Sequence, residues 1–256
     1  MKINDTIGLA LSGGGIKGIA HLGVLQYLSE LGIQPNMIAG TSAGSLVGVF
    51  YAAGYPPKEI LSIAKAEKFF NYSNLLLKRG GVFTPDVFEK IIQKYISHDS
   101  FDQLQIPVYI TATDLNNGEL VVFDKGSLSI AVKASCCVPL IFQPVLYQGV
   151  YLSDGGILNN FPTDLIEDKC DKIIGVNVTA IQKMEGKMGY KKMIERTFHV
   201  SLNNSVKSKI EKCYVYMEPP NMGNYHTFEF KKIDEIYEVG YQHARQFETA
   251  LQQLIL

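Results

Sequence analysis

The sequence predicts a single α/β domain, spanning 1–256, built on a largely parallel sheet. Three observations carry that expectation. Short apolar runs bounded by glycine alternate with longer segments of helical periodicity. Twice, a strand-like run passes through glycines straight into a helix-like one. No repeat, low-complexity tract or linker interrupts the 256 residues, a length sufficient to bury one large core.

The elements follow in order. Residues 6–12, TIGLALS, are short and apolar and run into glycines, as a buried strand does. The next segment sets Ile19, Leu22, Leu25, Leu28 and Leu31 at helical spacing, with Gly32 as its stop. Residues 37–41, MIAGT, are a second strand, and residues 43–55 a helix apolar on most faces and therefore buried. Pro56-Pro57 breaks the chain. Residues 84–96 join a first-turn capping signal to an amphipathic pattern. Residues 106–115 and 119–124 are strands around Asn116-Asn117-Gly118. Residues 127–138 form a short helix that stops near Pro139, residues 144–156 a hairpin over Gln148-Gly149, and residues 172–179 another strand. The remainder, 181–256, is mostly helical, with helices expected over 187–213 and 233–254.

Composition narrows the function classes. A formal net charge of -1 supplies no global field for nucleic acid or anionic membrane, so no nucleic-acid partner is expected. Cys136, Cys137, Cys170 and Cys213 lack metal-site spacing and read as buried thiols in a reducing compartment. No metal or cofactor is expected. The opening MKINDTIGLALSGGG is too short and too acidic for a secretory signal, and no apolar run reaches transmembrane length. A soluble, cytoplasmic protein, able to visit a membrane surface peripherally, is the expectation.

The segment SGGGIKG, 12–18, lies between the first strand and first helix. It matches the dinucleotide pattern through Gly13, Gly15 and Gly18. A Rossmann site also needs an acidic residue at the end of the second strand, yet no Asp or Glu occurs between Glu30 and Glu59. A P-loop lacks its Gly-Lys-Ser/Thr. What remains is a loop whose amides converge without Cβ obstruction at a helix N-terminus, suited to a developing anion such as an oxyanion. A plain tight turn is the alternative, though three consecutive glycines are an expensive way to make one.

Gly40-Thr41-Ser42-Ala43-Gly44 joins an apolar strand to an apolar helix, the context a nucleophile elbow requires. Gly40 and Gly44 allow close packing, and Ser42 sits at a helix N-terminus where an alkoxide is stabilised. Asp154 follows a strand-like VYL and precedes Gly155 and Gly156. Alone it reads as an Asx-turn residue. Beside a serine elbow and an anion-binding loop it becomes a candidate base. Of the five histidines, His21, His98, His199 and His243 fall in helical segments or at a helix end. Only His226 is loop-borne and late enough for a Ser, Asp, His order, and nothing around it resembles a catalytic loop. The residues therefore favour a Ser42–Asp154 dyad over a triad.

These three blocks resemble the signatures of patatin-like phospholipases. GGGIKG resembles the family's glycine-rich oxyanion block, GTSAGS its nucleophile elbow, and DGG at Asp154 its dyad block. The likeness runs in colinear order over roughly 6–180. Lys17 stands where many members carry arginine, keeping the charge and losing the planar fork. The resemblance implies a three-layer α/β/α fold with Ser42 and Asp154 as catalytic residues. It implies an oxyanion hole at Gly13, Gly14 and Gly15, supported by Gly18, Gly40, Gly44, Gly155 and Gly156. It also implies hydrolysis of lipid esters without a cofactor, through an acyl-enzyme. An apolar pocket around the dyad is expected, because desolvation raises the basicity of Asp154.

Residues 65–83 mix Phe69, Phe70, Leu75, Leu76 and Leu77 with Lys65, Lys68, Lys78 and Arg79. They read either as a lid or peripheral membrane patch or as a helix and turn packed on the core. A non-catalytic lipid- or acyl-binding module is the alternative function, with a nucleotide-binding enzyme third. Head group, acyl length and oligomeric state are not readable from the chain.

Overall fold

The computed structural model describes residues 5–67, 83–181, 189–203, 206–225 and 230–254. Each strand-like run becomes a strand: β1 Ile7–Leu11, β2 Met37–Thr41, β3 Val108–Asp114, β4 Glu119–Phe123, β5 Val145–Tyr147, β6 Val150–Asp154 and β7 Lys172–Val176. An eighth, β8 Val215–Met217, lies between the two expected C-terminal helices. The helices are α1 Ile19–Glu30, α2 Ala43–Ala52, α3 Pro57–Glu67, α4 Asp86–Tyr95, α5 Leu128–Ser135, α6 Gly156–Asn159, α7 Tyr190–Leu202, α8 Val206–Ile210, α9 Ile233–Arg245 and α10 Glu248–Gln252.

Three departures from the sequence reading have local causes. Pro57, expected only to break the chain, opens α3, because its fixed φ and missing N–H suit a first helical position. The helix expected over 187–213 is divided. Asn203 closes α7 and turns its side-chain amide onto the Thr179 carbonyl at 2.8 Å. The helix expected over 233–254 bends between Gln246 and Phe247 into α9 and α10. Residues 68–82, which hold most of the lid-or-core stretch, lie outside the described residues, as does His226.

The sheet order is β5-β6-β3-β2-β1-β7-β8, with β4 also pairing β3. β1, β2, β3, β7 and β8 are mutually parallel, while β4 and β6 run antiparallel to β3, and β5 antiparallel to β6. The pleat sorts side chains into two layers. Leu9, Leu11, Ile38, Ile110, Ile174 and Val176 face the larger core, shared with α1 and α2. Ala10, Ala39 and Ile173 face a smaller one with Phe161, Ile166 and Val206. On this second face Gly8 and Gly175 replace bulk. A Cβ on Gly175 would stand 2.6 Å from the Phe161 ring, so the missing side chain lets the Phe161 layer close on the sheet. The result is a three-layer α/β/α fold with a mostly parallel central sheet. Among the described residues, no helix is long and apolar enough to cross a membrane.

Candidate active site

The carboxyl ends of β1 and β2 lie side by side, since Leu11 pairs with Gly40. A crevice at strand ends is where open α/β sheets hold their ligands. Ser42 leaves β2 there with φ 52 and ψ -122, a left-handed setting that a residue with a Cβ avoids. The surroundings impose it. The Ser42 N–H donates to Ser135 Oγ at 2.8 Å. Its carbonyl accepts from the N–H groups of Ser45 and Leu46 and from Ser45 Oγ. Both flanking glycines are steric necessities. A Cβ on Gly44 would fall 2.3 Å from the Leu11 carbonyl oxygen, and one on Gly40 2.7 Å from the Gly44 carbonyl oxygen. Helix α2 can therefore start against β1 and β2 only with hydrogen at these positions.

Asp154 arrives by a different route. β3 pairs with β2 as far as Thr41↔Thr111, and the next residue, Ala112, pairs with Asp154 at the end of antiparallel β6. Two strands thus meet nearly end to end along β3, and the ends that meet carry Ser42 and Asp154. Ala112 belongs to the α2 face, so the residue opposite it projects to that face too. The Ser42 side chain lies beside the Asp154 carboxylate and favours its ionised form. Gly156 N–H donates to Asp154 Oδ1 at 2.8 Å. Neither partner is an imidazole. Thr41 Oγ1 bridges Thr111 Oγ1 and the Asn159 carbonyl, tying the elbow to the loop after Asp154. Gly155 fits because a Cβ there would stand 2.2 Å from Thr111 Oγ1.

Ser42 and Asp154 are 6% and 4% exposed. Burial dominates the carboxyl's titration and pushes it up to about 6, with the Ser42 and Gly156 hydrogen bonds pulling the other way. Cys136 and Cys137 border the site. Burial, reinforced by the Asp154 charge, pushes the Cys136 thiol well above its ordinary range and that of Cys137 to about 12, so both stay neutral. His21 is wholly buried. Its Nε2–H donates to the Ser12 carbonyl at 2.9 Å, and burial lowers its pKa to about 4. His243 accepts the Glu218 N–H through Nε2, just past the carboxyl end of β8 at the edge of the sheet. Among the described residues no cluster of three or more His, Cys, Asp or Glu could hold a metal.

The glycine loop needs one correction. Gly13, expected to offer its N–H to an oxyanion, donates it to the Asn160 carbonyl at 3.1 Å. The two loops pack closely there, since a Cβ on Gly13 would stand 2.5 Å from Asn160 Oδ1 and 3.2 Å from Ser42 Cβ. The Gly14 and Gly15 N–H groups donate to no acceptor among the described residues. Gly15, at φ 58, begins the single 3-10 turn that leads into α1. Gly18 lets that turn meet α2, with Ala43 Cβ 2.5 Å from where its own Cβ would be. Nothing in the sequence marks Ser12, His21, Ser135 and Asn160, which hold these loops: Ser135 and Asn160 act across long stretches of chain, and the contacts of Ser12 and His21 depend on how the loop after β1 is folded.

The family model described as patatin-like phospholipase matches residues 9–166. Lysophospholipase NTE1 of Meyerozyma guilliermondii is 28% identical over 280 aligned positions, covering 96% of this chain and 19% of that protein. Lysophospholipase NTE1 of Scheffersomyces stipitis is 29% identical, covering 94% and 18%. The chain therefore spans about a fifth of the length of these curated relatives. Among solved structures, VipD from Legionella pneumophila aligns over 98% of this chain and 67% of its own, with a TM-score of 0.53 and 15% identity, a likeness of fold alone.

Proposed function

The chain belongs to the patatin-like phospholipase family, and from that premise we propose that it is a lipid acyl hydrolase working through Ser42 and Asp154. The observation that carries the reading is the buried serine hydroxyl beside a buried, basic carboxylate, with no imidazole between them among the described residues. Ser42 Oγ attacks the ester carbonyl as Asp154 takes its proton. The oxyanion is received by the Gly14 and Gly15 amides, each such donor supplying about 3 kcal/mol. Asp154 returns the proton to the leaving alcohol. Water, activated by the same carboxylate, then releases the acyl group from Ser42.

Asp154 is a far better base near pH 7 than an exposed aspartate, because its pKa approaches the operating pH. Its burial takes over the role that an imidazole has in a triad. The relatives' name supports a lysophospholipid as the substrate class. Cytoplasmic residence, with peripheral contact at membranes through 65–83, belongs to the same proposal.

The test is a panel of p-nitrophenyl esters, lysophospholipids and diacyl phospholipids assayed with wild type, Ser42→Ala and Asp154→Asn. Each variant should lose about ten-thousand-fold or more in kcat while keeping its circular dichroism spectrum. A fluorophosphonate should label wild type at Ser42 and leave Ser42→Ala unlabelled. Substantial hydrolysis by Ser42→Ala would refute the nucleophile. Lipid binding without labelling or turnover would favour the non-catalytic module.

A further inference from the structure

Consecutive peptide planes in the loop after β1 are each gripped by the carbonyl. The Ser12–Gly13 plane is held on both sides, by His21 Nε2–H on the Ser12 carbonyl at 2.9 Å and by the Asn160 carbonyl on the Gly13 N–H at 3.1 Å. The Gly13–Gly14 plane is held by Ser12 Oγ–H, which donates to the Gly13 carbonyl at 3.0 Å. The Gly14–Gly15 plane is held by the Lys17 N–H, which donates to the Gly14 carbonyl at 3.3 Å. A peptide plane is rigid, so fixing its carbonyl fixes the direction of its N–H. Among the described residues, the two planes gripped only through their carbonyls are the two whose N–H groups remain to receive a ligand.

The Ser12 hydroxyl is itself over-determined. It accepts the Val178 N–H at 2.9 Å, just beyond β7, which leaves its hydrogen free to point only at the Gly13 carbonyl. Ser12 N–H donates to the Val176 carbonyl, and the residue is 0% exposed. Glycine on either side of a plane imposes almost no preferred orientation. Without an external grip, the Gly13–Gly14 plane could rotate its N–H away at little cost.

We propose that Ser12 is a positioning residue that aims the Gly14 N–H at the developing oxyanion, with His21 bracing the plane before it. The proposal rests on the acyl-hydrolase reading above. It assigns a role to a buried serine that touches neither substrate nor the reacting pair. Ser12 transmits the position of β7 to the loop, so the donor direction is set by the sheet rather than by the glycines.

The test uses Ser12→Ala, Ser12→Thr and, as controls, wild type and Ser42→Ala, all assayed on p-nitrophenyl butyrate. Ser12→Ala should lower kcat about 10- to 100-fold, less than outright removal of a donor, and leave KM within about twofold. A trifluoromethyl ketone places an oxyanion on these donors once Ser42 adds to it. Its Ki should rise by the same factor as kcat/KM falls. Ser12→Thr, which keeps the hydroxyl, should recover most of both. If Ser12→Ala does not fold, Ser12→Cys, a poor donor of similar size, is read by the same criteria. A merely structural serine would lower the melting temperature and leave kcat and ketone Ki alone at 25 °C, and that result overturns the proposal. So does a loss of kcat with unchanged ketone Ki. An inactive wild type, or an active Ser42→Ala, overturns the functional reading and this proposal with it.

Discussion

Asp154 is held where water would leave it alone, and that placement has two measurable sides. In the unfolded chain its pKa is near 3.8, and in the fold about 6, so the folded form binds the proton more tightly. Keeping it ionised therefore costs the fold about 3 kcal/mol, absent below about pH 4 and complete above about pH 6. Asp154→Asn should remove that cost. We expect the variant to be the more stable protein at pH 8 in urea titrations, with its advantage shrinking by about 2–3 kcal/mol on going to pH 3.5. The same ionisation sets the chemistry. kcat/KM of the wild type should rise through about pH 6 and stay flat above it. At this scale much was legible in the sequence. Gly40, Ser42, Gly44 and Asp154 stand where their spacing put them, since strand–turn–helix signals are local. The amide of Gly13 was misread because its acceptor, the Asn160 carbonyl, is distant in the chain.

At the scale of elements, α1 is covered on nearly every side, with Ile19 to Leu25 and Tyr27 to Leu28 buried. Its outer cover is α9, and the crossing is made by two glycines. A Cβ on Gly23 would stand 2.1 Å from the Tyr237 carbonyl oxygen, and one on Gly240 2.1 Å from that of Ala20. Backbone meets backbone there, and neither helix can shift without opening the core. Gly23→Ala or Gly240→Ala should cost about 2–3 kcal/mol in denaturant unfolding, against the few tenths gained from helix propensity. If either variant is as stable as wild type, the two axes are farther apart than described. The periodicity of Ile19, Leu22, Leu25 and Leu28 revealed α1 but not its partner. A glycine inside a helix announces close approach without saying to what. Similarly, α3 was hidden because Pro56-Pro57 reads equally as a stop or a start, and β8 because three residues carry too little pattern.

On the scale of the whole molecule, the site is a product of sheet topology. The parallel order around β1 was expected from alternating strands and helices. The way β6 butts against β2 along β3 was not, because strand register depends on pairings no local pattern encodes. The described thiols are all free, and the ion pairs Lys94–Glu67 and Lys172–Asp5 lie at the surface. Such surface pairs are worth little. The apolar layers on either side of the sheet hold the fold together.

The end-to-end meeting of β2 and β6 makes the spacing of hydroxyl and carboxylate a matter of ladder rungs. A ruler of that kind does not fray. Heating should therefore leave turnover intact until the central ladder itself melts, so that activity and far-ultraviolet ellipticity vanish with midpoints within about 2 °C of each other. Activity lost well ahead of ellipticity would mean that something softer than the strands keeps the two groups in register.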